Sequence, residues 1–492
     1  MSNPNMDYKS DLQVHPNRWY ALAVILLPTL LVSLNTYMIQ VALPIIQGSL
    51  HASFSEAQLI LSAYSLALAV TLIVAGKLGD LYGRKRMLFF GVALFTSMAL
   101  IGGVAIEPAL LICIRIVQGL SAALIQPQVL SIMQVSYLPR EKPLVFGIYG
   151  AVVGIAFTFG LLLGGFLVQL NLFEFGWRSI FFFQIPIGIL VLVFLPLIPE
   201  SHGERREKSV DWSGAALLTT GLFLFIYPLT EGQKQGWPLW TWCCLLAAFP
   251  VLLCFLLVEV RKQKLGEFPL VDLSIFKNRP IVVGMMTVIV VYLNMFSFFF
   301  VLSYYSQFGL HDSVQSTSMA FLPVGIGCLF TSLISPRLFK RRGHLVLKTG
   351  ALLMGICNLL LVISLNHGEV HLDQAQNQWF LLAYGCGLGM ATTQLIGTVL
   401  SLIPAKIAGT GSGLLTTFTY LANSLAVTLI GILFSSSLGT SLAEADLPDY
   451  VRAFSTALVV CSLLAFAAFI CLCFLPGQNN TKDRGISTKM KN

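Results

Sequence analysis

Gly76-Lys77-Leu78-Gly79-Asp80-Leu81-Tyr82-Gly83-Arg84-Lys85-Arg86 is a glycine-punctuated basic turn with a single carboxylate, set between the apolar runs Ala57 to Ala75 and Met87 to Ile106. Runs of about 20 apolar residues match the length a helix needs to cross a bilayer core. A short cationic turn between two such runs marks the cytoplasmic side, where lysine and arginine accumulate. Its glycines let the chain reverse sharply. Asp80 needs a partner in so cationic a turn. The candidates are the arginines beside it and the positive end of a neighbouring helix.

The rest of the chain repeats this alternation. Of 492 residues, 56% are hydrophobic and only 11% charged, and the mean hydropathy is +0.81. Soluble domains carry about 25% charged residues, so the composition describes an all-α polytopic membrane protein. The net charge of +8 sits in short loops, which excludes a nucleic-acid-binding surface as its explanation. Ten cysteines lie in or at the edge of apolar runs and read as packing residues, not as disulfides or metal ligands. His367 and His371, four residues apart beside Glu369 and Asp373, read as a solvated loop, so no metal site is expected.

Apolar runs broken by Gly, Pro and charge give fourteen spans, from 20–46 to 451–474, the twelfth at 378–403. Loops on one side carry Arg140, Lys142, Arg205, Arg206, Lys208, Lys340, Arg341 and Arg342; loops on the other carry Glu56, Glu107, Glu174, Glu231, Asp312, Glu444, Asp446 and Asp449. The asymmetry places both termini in the cytoplasm. Ser335-Pro336-Arg337-Leu338-Phe339-Lys340-Arg341-Arg342-Gly343 repeats the opening basic turn in the second half without its aspartate. An internal repeat of this kind suits a carrier whose two bundles rock about a central site. The expected organisation is a cytoplasmic segment 1–18, a six-helix bundle 19–200, an inserted helix pair 201–260, a linker 261–279, a second six-helix bundle 280–474 and a cytoplasmic tail 475–492. The amphipathic segment Phe268 to Lys277 is expected to lie on the membrane surface.

Within the spans, polar residues are few and therefore informative. Arg115-Ile116-Val117-Gln118-Gly119 puts an arginine in an apolar run; it either snorkels to the end of its span or faces an internal polar cavity. Gly150, Gly154, Gly160, Gly164 and Gly165 leave a groove along the fifth span for close helix approach. Asn35, Tyr37, Gln118 and Gln126 are further candidates for a substrate or proton pathway, although polar residues at such positions are more often helix–helix hydrogen bonds than ligand contacts.

The order of residues carries a resemblance. The opening turn, with Gly76, Gly79, Asp80, Gly83, Arg84 and Lys85, resembles the loop between helices 2 and 3 of the major facilitator superfamily. Arg115-x-x-Gln118-Gly119 resembles that family's helix-4 motif, and Gly150 to Gly165 its antiporter motif with Leu161 in place of proline. Leu34-Asn35-Thr36-Tyr37-Met38-Ile39-Gln40-Val41-Ala42-Leu43-Pro44 and Trp177-Arg178-Ser179-Ile180-Phe181-Phe182-Phe183-Gln184-Ile185-Pro186-Ile187-Gly188 resemble signatures of its fourteen-helix drug:proton antiporters. Asn35 stands where those carriers have an aspartate. The resemblance implies two six-helix bundles plus an inserted pair in the cytoplasmic (inner) membrane. It further implies export of small organic molecules by alternating access, with the Asp80 turn as a conformational latch. A proton gradient would be the energy source, with no bound cofactor. A periplasmic adaptor and outer-membrane channel are implied by the family alone.

The spans hold no carboxylate or histidine near their middle; Glu200 and Glu259 fall at ends. A proton-coupled carrier normally needs such a group in its cavity. A neutral or anionic substrate opposite Arg115, an acid at a cavity mouth (Glu56, Glu107 or Glu231), or an uncoupled facilitator or importer would each be consistent with the gap. No phosphate-binding G-x-x-x-x-G-K-[ST] loop is present, so ATP-driven transport is not expected, nor is an enzyme.

Overall fold

The computed structural model describes residues 18–138, 141–171, 174–198, 200, 211–265, 269–271, 273–368, 370–403 and 408–475. Arg140, the basic stretch 201–210, Glu369, residues 1–17 and the tail from 476 lie outside them. Fifteen α-helices build fourteen membrane-length spans. The first half contains α1 (Arg18–Ser49), α2 (Phe54–Tyr82), α3 (Arg84–Gly102), α4 (Pro108–Ser136), α5 (Lys142–Leu170) and α6 (Ser179–Phe194). Next come α7 (Trp212–Lys234) and α8 (Leu239–Leu265). The second half contains α9 (Arg279–Tyr304), α10 (Val314–Arg342), α11 (Leu345–Asn366), α12 (Ala375–Thr392), α13 (Leu395–Ser401), α14 (Ala408–Leu438) and α15 (Leu447–Cys473). The expected twelfth span is thus two helices, broken between Thr392 and Leu395.

Helices satisfy their own backbone groups, which is why an apolar chain adopts them in lipid. Their ends are fixed by local chemistry. Ser53 caps α2 in a reciprocal box, its hydroxyl accepting from the Glu56 amide at 3.3 Å while the Glu56 carboxylate accepts from the Ser53 amide at 2.7 Å. Gly83 separates α2 from α3 at φ +103°, and Gly343 separates α10 from α11 at φ +56°. Both basic turns therefore reverse on a residue that tolerates positive φ.

Packing sorts the helices into two bundles. The α2–α4, α3–α4, α1–α5 and α3–α6 contacts hold the first; α10–α12, α11–α12, α11–α15 and α9–α14 contacts hold the second. The bundles meet along α2–α14 and α5–α10. The inserted pair α7–α8 packs on itself and on α2 and α14, outside both bundles. α8 leaves most of its central stretch to lipid, with only 17% of it buried. The linker, expected on the membrane surface, packs against the protein over its described residues. Leu270, Val271 and Ile275 are buried, and the Lys77 ammonium donates to the Pro269 carbonyl at 3.1 Å. The segment is tucked against the protein because it is tied at both sides of Leu270.

Candidate transport pathway

α1, α2, α4 and α6 converge on Arg115. Its guanidinium donates to Asn35 Oδ1 at 2.5 Å, to Gln118 Oε1 at 2.9 Å and to the Ile60 carbonyl at 3.0 Å. Asn35 in turn donates to Gln184 Oε1 at 2.9 Å, and Gln184 to the Ile180 carbonyl at 3.1 Å. The Tyr64 ring covers the guanidinium, 4.0 Å from its carbon to the ring centroid, a cation–π contact. Arg115, Asn35, Gln118 and Gln184 are all buried. Arg115 does not snorkel, and it is enclosed within the first bundle instead of standing free in an open cavity. Its neighbours in the network are neutral dipoles. The Gln118 Nε2 has no hydrogen-bond partner, so the network keeps polar capacity to spare.

Tyr37 and Gln126, expected on the same pathway, lie elsewhere. Tyr37 packs edge-on to Phe157 with ring centroids 5.1 Å apart. Gln126 donates across the bundle interface to the Tyr420 hydroxyl. They belong to a second set of groups. The Tyr420 phenol lies within electrostatic reach of those of Tyr37, Tyr64 and Tyr149, Tyr37 lies within reach of Tyr149, and Tyr292 joins through Tyr37 and Tyr149. These rings come from α1, α2, α5, α9 and α14, hence from both bundles. Tyr37, Tyr149, Tyr292 and Tyr420 are each only partly exposed. Tyrosine combines a flat apolar face with a hydroxyl that can donate or accept. A chamber between the bundles lined by these rings would stack an aromatic solute and hydrogen-bond its edge. Sequence reasoning named only Tyr37 of the five. The others sit on separate spans with no shared spacing, and only the folded arrangement brings them together.

The helix-5 glycines divide. A Cβ on Gly160 would lie 2.9 Å from Tyr37 Cβ, and one on Gly164 2.8 Å from the Met38 carbonyl. On Gly165 it would meet the Val314 carbonyl at 2.6 Å. Gly150 and Gly154 have nothing within 4 Å of that position. The close helix approach expected along the whole span is thus confined to its last three turns.

The Asp80 turn closes on itself. Asp80 Oδ1 accepts from Arg84 Nε at 3.0 Å and from Nη2 at 2.7 Å. A further acid completes the turn. Glu200 Oε1 accepts from the Lys85 amide at 3.0 Å, so that a carboxylate sits on the N-terminus of α3. Gly79 lets α2 meet Gln128 of α4, and a Cβ on Gly76 would lie 3.7 Å from Pro127 Cβ. Glu200 falls at a span end, where sequence alone does not distinguish a capping acid from a solvated one.

Interbundle hydrogen bonds cluster towards the face carrying the acidic loops. Gln40 donates to the Phe296 carbonyl at 3.2 Å, Gln307 to the Val41 carbonyl at 2.8 Å and Tyr304 to Gln47 Oε1 at 2.7 Å. Towards the basic face, Gly147, Gly150 and Gly154 of α5 look onto open space.

Comparison with known proteins agrees with this architecture. The family model for the Major Facilitator Superfamily matches residues 25–427. The chain is 34% identical over 450 residues to a probable actinorhodin transporter of Streptomyces coelicolor, covering 88% of this chain and 75% of that protein. It is 31% identical to a tetracenomycin C resistance and export protein of Streptomyces glaucescens, covering 87% and 79%. It is 28% identical to the multidrug resistance protein Stp of Mycobacterium tuberculosis, covering 86% and 77%. Among solved structures, a bacterial homologue of the human lysosomal transporter Spinster superposes with a TM-score of 0.65 at 14% identity, covering 93% and 96%. The xylose transporter XylE from E. coli gives 0.59 at 16% identity, covering 93% and 99%. At that identity the two structures speak for the fold alone. Two six-helix bundles, an inserted pair and a family match across most of the sequence place this chain in the Major Facilitator Superfamily, as a fourteen-span transporter whose relatives include antibiotic and multidrug exporters.

Proposed function

We propose that the protein exports neutral or anionic aromatic solutes from the cytoplasm across the inner membrane by alternating access, with its basic face cytoplasmic. One observation carries the reading. The polar interior is built from phenols, carboxamides and a single arginine, and none of the groups gathered there is a carboxylate. A lipophilic cation would find no counter-charge in such a chamber, whereas an acidic phenol or quinone would find hydrogen-bond donors with a guanidinium behind one of the rings. Export, as opposed to import, rests on what the curated relatives are named for.

Proton linkage rests on family resemblance, with the imposed gradient as the energy source. A second reading, an uncoupled facilitator, is favoured by Asn35, which cannot titrate and is committed to Arg115 and Gln184. Inside-out vesicles with an imposed pH gradient separate the two. Uptake of an anionic aromatic dye that rises with the gradient supports coupled export, and uptake that ignores it supports the facilitator. Asn35→Asp places a carboxylate on Arg115 and should shift preference from anionic towards cationic dyes. Wild-type vesicles that accumulate cationic dyes and refuse anionic ones would sink the proposed substrate class.

A further inference from the structure

Asp211 opens α7 as its cap. Its Oδ1 accepts from the Gly214 amide at 2.7 Å, from the Ser213 hydroxyl at 2.9 Å and from the Lys262 ammonium of α8. Lys262 also donates to Ser213 Oγ at 2.6 Å. One turn before Lys262, Glu259 is completely buried, and its Oε2 accepts from the Val271 amide of the linker at 2.8 Å. Each carboxylate is left with one buried oxygen that has no partner, Asp211 Oδ2 and Glu259 Oε1. Those two oxygens converge on one spot beside Gly214. They lie 2.8 and 2.4 Å from the place a Cβ would take on Gly214, and the two side chains are hydrogen-bonding neighbours.

Two acceptors cannot bond without a hydrogen between them. With both carboxylates ionised, the pair sets two negative charges against one ammonium, with two acceptors unsatisfied out of water, which is costly. One proton removes both defects, because Glu259 Oε1–H donates to Asp211 Oδ2 and the cluster becomes neutral. The geometry points to a proton-binding site shared by Asp211 and Glu259, which fastens the linker to the inserted helix pair when it is occupied. The proton is taken from, and returned to, water at the basic face.

Among the described residues, the other charged groups nearby are these. Lys77 of α2 holds the Pro269 carbonyl on the far side of Leu270. Arg261 and Lys264 of α8 and Lys277 of the linker are exposed. The sign follows from the cluster. The proton is favoured by the fastened arrangement, so fastening is present at lower pH and is lost as pH rises and the proton leaves. The site stands apart from the tyrosine chamber and does not depend on the substrate class proposed above.

Two readings on the full-length protein in lipid nanodiscs test it. Infrared difference titration should show a protonated carboxyl band that disappears on the alkaline side and is missing in Glu259→Gln and in Asp211→Asn. Amide hydrogen exchange over residues 269–277, corrected for intrinsic rates, should quicken roughly tenfold or more in the wild type as that band is lost. Either carboxamide supplies its own N–H to the opposite oxygen, so in both variants the linker should stay protected at alkaline pH. A wild type without a titrating carboxyl band would overturn the site, and so would variants whose linker exchange follows the wild-type pH course. Linker protection that responds to sodium and not to pH would equally overturn it.

Discussion

A guanidinium held by Asn35, Gln118 and the Ile60 carbonyl is a buried charge that neutral dipoles must stabilise. The sequence made Arg115, Gln118 and Asn35 legible, since polar residues in apolar runs stand out, and the fold brings those three together. It did not disclose Gln184 as their fourth member, nor the buried role of Glu259. A residue near the end of an apolar run reads as solvated until its neighbours are known. Asp211, just outside the membrane-spanning segment of α7, shows the consequence at a single site. Burial acts to raise its pKa, but hydrogen bonds from Lys262, the Gly214 amide, Glu259 and Ser213 outweigh burial and lower it from 3.8 to about 2. A depressed carboxyl contributes stability that is present above its ordinary value and lost as pH falls through its folded one. Asp211→Ala should therefore cost about 1–2 kcal/mol at neutral pH, through the lost cap and ion pair. In thermal unfolding at several pH values, the gap from wild type should narrow in acid between pH 3.8 and about 2. A gap that widens in acid would show that Asp211 is not held ionised by these partners.

At the scale of elements, hydropathy located all fourteen spans, because each must present about 20 apolar residues to lipid whatever it packs against. Features set by tertiary contact were hidden. The break between α12 and α13 has no proline to announce it, and the linker's amphipathic pattern is the same whether its apolar side faces lipid or the protein. The glycines of α5 make the point sharply, since all five read alike in the sequence but only the last three are crowded. Gly165 meets Val314 and Ser318 of the opposite bundle, so Gly165→Ala should wedge α5 from α10. Spin labels placed on the acidic-face ends of α5 and α10 should move apart, and transport should fall about tenfold or more. Gly150→Ala faces open space and should leave both readings unchanged. Equal effects of the two substitutions would mean that helix propensity, not interbundle contact, is what those glycines set.

For the whole molecule, the distribution of interbundle contacts defines which face must part. α1 is joined to α9 and the turn that follows it by Gln40 to the Phe296 carbonyl, Gln307 to the Val41 carbonyl and Tyr304 to Gln47, all towards the acidic face. Phe54 reinforces the seam, its ring 5.1 Å from that of Tyr304. Each of these hydrogen bonds is worth only about 0.5–1.5 kcal/mol net, so the seam can open if compensating contacts form at the basic face. Alternating access about a central chamber requires it to open once per cycle. A covalent bond across it should stop the cycle without disturbing the fold. Cysteines replacing Gln47 and Tyr304, in a background whose exposed native cysteines have been replaced, should be joined by a reducible bis-methanethiosulfonate linker long enough to replace the two side chains. Transport should fall to background and return when the bond is reduced. Recovery on reduction distinguishes a locked carrier from a damaged one, because a misfolded protein gains nothing from reductant. Were the cross-linked carrier to transport at the uncross-linked rate, the bundles would not separate at the acidic face. The tyrosine chamber could then be reached from one side only, and the molecule would not operate by rocking its two halves.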